Sequence, residues 1–261
     1  MDAPPSPAEA FAWPVVNALA PGGVRRWLAA GLGDFRAMPG ASLFYGATLA
    51  LMGFLLTRHL GGAVGIALTT GFLLVGPFLA IGLYDLSRRR ALGEAPRLAP
   101  TLTAWRANFP AIGFYALILM LLLAVWIRVS VVVVALFFPQ GVLSLAGLAR
   151  MLAESPDAWF FVFAYLAAGC GFALLVFATS VVALPMLLDR PEMDAVSAMV
   201  TSFNVLRLNL PVMLAWGAAI VALTALGFAT FYLGLVVVLP WIGHATWHAY
   251  REAIAPRAPR G

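Results

Sequence analysis

The sequence predicts an all-α polytopic membrane protein with six transmembrane helices. Of its 261 residues, 63% are hydrophobic, the mean hydropathy is +0.95, and long uncharged runs recur from Ser42 to Tyr250. A soluble domain of this length has no need for such runs, whereas a bilayer requires them. The runs are continuously apolar rather than alternating, which favours helices over a β-barrel.

We place the six spans at about residues 42–59, 62–86, 109–130, 158–188, 210–228 and 230–250. Short connections near Arg58 and Thr230 make the first two and the last two spans antiparallel hairpins. We treat residues 1–21 as a flexible cytoplasmic segment, 22–252 as a single membrane domain, and 253–261 as a flexible cytoplasmic tail. The N-terminal segment lacks a positive region before an apolar run, so we expect no cleaved signal peptide. The single cysteine, Cys170, excludes an intrachain disulfide.

The distribution of arginine predicts the orientation. All sixteen basic residues are arginines, and only Arg58, Arg128 and Arg150 fall on one side of the predicted spans; the other thirteen fall on the opposite side. Positive residues concentrate on the cytoplasmic side of membrane proteins. We therefore expect both termini in the cytoplasm. Because the spans account for the placement of the charge, we expect the lipid bilayer and not nucleic acid as the partner.

An internal repeat underlies the six spans. Asn108-Phe109-Pro110 opens the third span and Asn209-Leu210-Pro211 opens the fifth, where Asn suits a helix N-cap and Pro the first turn. Each hairpin follows a stretch with helical periodicity, which predicts three units of a cytoplasmic interfacial helix plus a helical hairpin. In the third unit the apolar face comprises Val196, Met199, Val200, Phe203 and Leu206. In the first unit it comprises Val24, Trp27, Leu28, Gly31, Leu32 and Phe35, with Arg25, Arg26 and Asp34 opposite.

The apolar run that begins with the third span is too long to lie within the bilayer as one helix. From Phe109 to Phe138 the chain stays apolar apart from Arg128, which as one helix would measure roughly 45 Å against a hydrocarbon core of roughly 30 Å. Either this helix projects from the membrane, or it bends at Arg128 and continues across the outer surface. We expect the bend, with Arg128 snorkelling to the outer headgroups.

His244 and His248 are the most suggestive pair in the sequence. They are four residues apart on a predicted helix, a spacing that can hold a metal or an axial haem ligand. The alternative is that they form hydrogen bonds at headgroup level, beside an aromatic belt of Trp241, Trp247 and Tyr250. Two ligands do not complete a site, so we expect no metal and no cofactor.

A second candidate site lies at the cytoplasmic end of the second span. Asp85 can pair with Arg88 or Arg89 at helical spacing, and the arginine cluster can also bind an anionic lipid headgroup or a partner. The residues that we assign to this contact are Tyr84, Asp85, Arg88, Arg89, Arg90, Trp247 and Arg251.

The sequence also lacks the common catalytic signatures. It contains no Walker-type phosphate loop, no recognisable Ser-His-Asp or Cys-His set, and no row of carboxylates within the spans. We therefore expect that the protein is not an enzyme.

Three sequence boxes resemble an uncharacterised bacterial family of integral membrane proteins. They are the Gly71–Arg88 segment, GFLLVGPFLAIGLYDLSR; the Leu184–Arg190 segment, LPMLLDR; and the Gly243–Arg251 segment, GHATWHAYR. The resemblance covers about residues 32–252. It implies a six-span protein of the bacterial inner membrane and carries no assigned activity or catalytic residue.

These observations leave three functional hypotheses. The first is a non-catalytic accessory, assembly or scaffolding subunit that contacts other inner-membrane proteins. The second is a transporter or lipid-handling protein for a small or anionic amphipathic substrate. The third is a haem- or metal-binding membrane protein that uses His244 and His248.

Overall fold

The computed structural model describes residues 13–58, 79–137 and 156–256. Within these ranges the chain forms α-helices and one 3₁₀ turn at Ala104–Asn108. The helices are α1 (Gly23–Ala37), α2 (Pro39–Arg58), α3 (described over 79–91), α4 (Leu98–Thr101), α5 (Phe109–Phe137), α6 (Pro156–Ser180), α7 (Ala183–Asp189), α8 (Ala195–Leu208), α9 (Leu210–Ala229) and α10 (Leu235–Ala253). This confirms the all-helical class.

Four helical stretches of the described residues are long and apolar enough to cross a membrane. They are Pro39–Leu56, Leu98–Phe137, Ala158–Asp189 and Leu210–Ala229, and they coincide with the first, third, fourth and fifth predicted spans. Most of the second predicted span lies outside the described residues. The sixth predicted span coincides with α10. This helix is less hydrophobic than the four stretches because its second half carries His244, His248, Arg251 and Glu252.

The predicted bend at Arg128 is wrong. Helix α5 runs without interruption from Phe109 to Phe137, which is 29 residues or roughly 43 Å. Its residues beyond Arg128 contain neither proline nor glycine, so nothing in the local sequence ends the helix. Ser130 and the Tyr165 hydroxyl of α6 lie 2.7 Å apart and join the two helices at this height. Of the two alternatives, the structure therefore agrees with the continuous helix.

Buried side chains concentrate at one end of the helices. The main core joins α1, α7, α8 and the second half of α10 to the first turns of α5 and α9, with Trp27, Trp216 and Trp247 fully buried in it. The opposite halves of α5, α6 and α9 expose large apolar residues such as Leu121, Phe163 and Val221. The end with the buried core also holds the polar contacts described below.

The fold extends into both segments predicted to be flexible. Val16 and Ile254 form an antiparallel bridge, and the Asn17 amide donates to the Ala253 carbonyl at 2.9 Å. Asn209 holds the same N-terminal segment: its Oδ1 accepts from the Leu19 amide at 2.7 Å, and its Nδ2 donates to the Asn17 carbonyl at 3.0 Å. Residues 15–19 are thus bound between the C-terminal end of α10 and Asn209 at the start of α9.

The two repeated asparagines bind neighbouring segments of the chain. The Asn209 side chain makes no capping hydrogen bond to α9. Asn108 is likewise buried, and its Nδ2 donates to the Met193 carbonyl at 2.9 Å. Each asparagine therefore fastens a neighbouring chain segment at the start of a long helix, whereas Pro211 occupies the first turn of α9 as predicted.

The amphipathic helices α1 and α8 pack differently. In α8 the small polar residues Ser197, Thr201 and Ser202 are buried, while Val196, Val200 and Phe203 of the predicted apolar face are exposed. In α1 the apolar face is covered by α10. Asp34, which was expected on the polar face of α1, lies on this buried face. This position of Asp34 decides the geometry of the candidate site.

Candidate functional site

Close packing of α1 and α2 against α10 positions the site. A Cβ added at Gly31 of α1 would lie 2.6 Å from the Ala245 backbone nitrogen, and one added at Gly46 of α2 would collide with the Val236 carbonyl oxygen. Only glycine permits these two backbone approaches. The Trp241 indole also donates to the Leu28 carbonyl at 2.8 Å. The middle of α10 is thereby enclosed by α1 and α2.

A set of hydrogen-bonded side chains joins α1, α2, α3 and α10, and we call it the polar cluster. At its centre Asp34 is only 4% exposed. The Ser87 hydroxyl donates to Asp34 Oδ2 at 2.6 Å, His248 Nε2 lies 2.8 Å from the same oxygen, and Arg90 Nη1 pairs with Oδ1. The members are Asp34, Ser42, Ser87, Arg90, His244 and His248.

His244 lies at the interior end of the polar cluster. The ring is fully buried, with Nδ1 2.8 Å from the Ser87 hydroxyl and Nε2 2.9 Å from the Ser42 hydroxyl. Because the Ser87 proton points at Asp34, the Ser87 oxygen accepts from Nδ1–H of His244. Burial favours the neutral ring, whose Nε2 then accepts from Ser42. The hydrogen bonds therefore run in one direction, from Ser42 through His244 and Ser87 to Asp34.

The charge on Asp34 is stabilised by this arrangement. Burial acts to raise the pKa of Asp34, but the hydrogen bonds from His248 and Ser87 outweigh it, so the pKa lies below its usual value. The carboxylate therefore remains ionised at neutral pH and pairs with Arg90. Every member of the polar cluster has its partner within the chain, which is how a buried polar network stabilises a fold.

The resemblance between the polar cluster and a hydrolytic triad is limited to residue types. Ser42, His244 and Asp34 are brought together, which sequence reasoning missed, but Ser42 and His244 are both 0% exposed. A serine nucleophile must reach its substrate. In this structure the Ser42 hydroxyl is enclosed and serves as a donor to His244.

The two histidines are linked through the polar cluster, in which other side chains occupy their ring nitrogens. Both nitrogens of His244 have serine partners, and His248 faces Asp34. Across residues 13–58, 79–137 and 156–256, no group of three or more His, Cys, Asp or Glu side chains is placed to hold a metal ion. A role for the pair in haem or metal binding has no support from this geometry.

The predicted arginine cluster is neutralised by carboxylates. The Arg88 guanidinium donates to Asp85 Oδ1 at 2.9 and 2.7 Å, and Arg89 donates to Asp85 Oδ2 at 2.7 Å and to Glu94 at 3.0 Å. Asp85 is fully buried, and its pairing is the one that the helical spacing predicts. With Arg90 bound to Asp34, each of the three arginines already has an acidic partner, which weakens their attraction for an anionic headgroup.

The remaining predicted contact residues are divided between core and surface. Trp247 is buried and does not face lipid, whereas Arg251 is exposed, lies over the Trp247 ring at 6.0 Å, and approaches Asp189 at 3.6 Å. The Tyr250 hydroxyl donates to Asp189 Oδ2 at 2.7 Å. Tyr84 lines an apolar groove between α6, α9 and α10.

These contacts bring together the three sequence boxes. His244 of the third box bonds Ser87 of the first, and Tyr250 of the third bonds Asp189 of the second. Helix α10 is therefore the element on which the other two boxes converge. The signal that sequence reasoning missed is the spacing of Trp27, Gly31 and Asp34, which places an acidic residue on the buried face of α1.

Comparison with known proteins supports the membrane assignment. The family model described as "Predicted integral membrane protein (DUF2189)", a family of unknown function, matches residues 65–189. This match confirms the resemblance to an uncharacterised integral membrane family. The matched residues include the first two boxes almost completely, together with Ser87 and Arg90. They do not include Asp34, Ser42 or the third box. No curated protein and no solved structure matches the chain.

Proposed function

We propose that this chain is a non-catalytic protein of the bacterial inner membrane, serving as an accessory, assembly or scaffolding subunit of a larger membrane complex. The observation that carries the proposal is the internal satisfaction of the polar cluster. Its carboxylate, imidazoles and hydroxyls bind one another and hold four helices together. Polar side chains that serve the fold in this way are not available for a substrate, which favours an architectural role.

The proposed topology has six spans and two cytoplasmic termini. Helices α9 and α10 contain 20 and 19 residues and follow one another with a short connection, so α10 can return across the bilayer that α9 crosses. The His244 ring is enclosed by protein rather than exposed to lipid, which is where polar groups of membrane helices are tolerated. The repeat of three units and the arginine bias support the same topology.

Co-purification from the native host tests both parts of this proposal. A C-terminal tag fused to a reporter that is active only in the cytoplasm is placed at the native locus, and the membranes are solubilised in mild detergent. We expect reporter activity together with one or more membrane proteins in stoichiometric amount. An inactive reporter would contradict the orientation, and a solitary chain would contradict the role as a subunit.

Lipid handling is the second candidate, and one observation favours it. The groove lined by Tyr84, Phe177, Gly217 and neighbouring apolar residues has a volume of about 620 Å³, which is large enough for an acyl chain. Filling it through Gly217→Phe would block lipid retention in vesicles if the groove holds a lipid. Unchanged lipid retention in that variant would leave only the proposal of a subunit.

A further inference from the structure

A small pocket lies between the end of α7 and the end of α10, and we call it the arginine pocket. Asp189 and Arg190 form one side, Tyr250 and Arg251 form the other, and residues 254–256 complete its wall. Its volume is about 190 Å³, which is the space of roughly six water molecules. The pocket therefore has room for a small ligand and joins the last two residues of the second sequence box to the last two of the third.

Arg190 is a buried cation without a carboxylate partner. The residue is only 9% exposed. Its Nη2 donates to the Ala255 carbonyl at 2.7 Å, while its Nε is buried without a hydrogen-bond partner. Within residues 13–58, 79–137 and 156–256, none of the ion pairs includes Arg190. Because a guanidinium does not lose its proton and an unpaired buried charge is costly, a counter-charge in the pocket would stabilise this residue.

The charges around the arginine pocket favour an anion. Asp189 Oδ2 accepts from the Tyr250 hydroxyl at 2.7 Å and lies 3.6 Å from Arg251 Nη1. The Tyr250 hydroxyl also lies beside Arg190. Two guanidinium groups and one carboxylate leave one positive charge among the described lining residues. The Arg251 side chain is 48% exposed, so it can turn from Asp189 towards a ligand.

The other arginine cluster of the chain does not offer this combination. Arg88 and Arg89 each lie 2.7 Å from the buried Asp85, and Arg90 is paired with Asp34. Their charges are balanced within the fold, whereas that of Arg190 is not balanced by any described residue. The sequence placed its anionic contact at the first of these two positions, and the structure favours the second.

We propose that the arginine pocket binds a phosphate-type oxyanion, held by charge-assisted hydrogen bonds from Arg190 and Arg251. The planar guanidinium fork matches the oxygens of such a group. The phosphate group can belong to a soluble compound or to a lipid headgroup, and the two sources share the chemistry that the pocket recognises. This binding site is independent of the proposed role as a subunit.

Phosphate binding by the purified full-length chain tests the site. Thermal unfolding in a non-ionic detergent is followed as inorganic phosphate replaces chloride at constant ionic strength. We expect a saturable rise in the unfolding temperature. The phosphate concentration that gives half of this rise should increase at least about tenfold in Arg190→Gln and in Arg251→Gln, because each variant loses a charge-assisted hydrogen bond.

Two features keep this test decisive. Arg97→Gln removes an exposed arginine outside the pocket and should respond as the wild-type chain does. If Arg190→Gln does not fold, the half-exposed Arg251 still allows the comparison. An absent response in the wild-type chain, or an equal response in all the variants, would overturn the inference.

The source of the phosphate group is distinguished in lipid nanodiscs. The wild-type chain is placed in phosphatidylcholine alone or in phosphatidylcholine with phosphatidylglycerol, and the titration with inorganic phosphate is repeated. If an anionic lipid occupies the pocket, phosphatidylglycerol should abolish the response to inorganic phosphate. If the ligand is soluble, the response should be the same in both nanodiscs. A response that is absent from both would overturn the proposal.

Discussion

Replacing Asp34 with alanine is expected to destabilise the protein by about 2–3 kcal/mol. Removing one partner of a buried pair costs about 3–5 kcal/mol because the other charge is left uncompensated. Here the partners Arg90 and His248 are partly exposed, and solvent screening reduces the cost. Urea or thermal unfolding of the purified protein in detergent measures the difference.

Two variants control this prediction. Glu94→Ala removes the exposed carboxylate that pairs with Arg89, and we expect its effect to stay within about 0.5 kcal/mol. Asp34→Asn keeps the shape but not the charge. Because the pKa of Asp34 is lowered in the folded state, its charge contributes stability above the unfolded-state pKa of 3.8, and that stability is lost as the pH falls through the lower folded-state pKa. The loss of stability in Asp34→Asn, relative to the wild-type chain, should therefore become smaller in acid. If Glu94→Ala and Asp34→Ala were equally destabilising, the structural role of Asp34 would be refuted.

Among the glycines that the structure describes, replacement of Gly46 with alanine is expected to cause the largest loss of stability, about 3 kcal/mol. Overpacking a core costs about 1–3 kcal/mol, and the upper end applies because the obstacle is the Val236 carbonyl of α10 rather than a movable side-chain end. Thermal unfolding in detergent measures the loss of stability.

Gly53 provides the matched control on the same helix. A Cβ at Gly53 meets only the Tyr232 ring, at the ordinary contact distance of 3.9 Å. Gly53→Ala should therefore be neutral or slightly stabilising, since alanine is the better helix former. Similar stability of the two variants would mean that α2 and α10 are not packed as closely as described.

The membrane class and most of its helices follow from the sequence, because hydropathy is a local property. Four of the predicted spans coincide with apolar helices of the structure. The bend predicted at Arg128 is wrong because a single charge in an apolar run does not end a helix. The helix continues because neither proline nor glycine occurs between Arg128 and Phe137.

The contacts of the polar cluster could not be predicted from the sequence for a different reason. Its contacts join residues that are far apart in the chain: Ser87 and Asp34 are 53 positions apart, Ser87 and His244 157, and Ser42 and His244 202. The histidines were identified by their spacing, but serine is common and gives no periodic signal. Asp34 was assigned to the polar face because an interfacial helix was expected to face lipid, whereas α1 is covered by α10.

We propose that the polar cluster serves the architecture of the protein and performs no chemistry. The most direct test compares partner retention with stability in four variants: Ser42→Ala, Ser87→Ala, His244→Gln and His248→Gln. We expect the amount of partner recovered per folded molecule to equal that of the wild-type chain in every variant, while the unfolding temperature falls most for the buried positions. A variant such as His248→Gln that kept wild-type stability but lost its partner or its cellular function would contradict the claim.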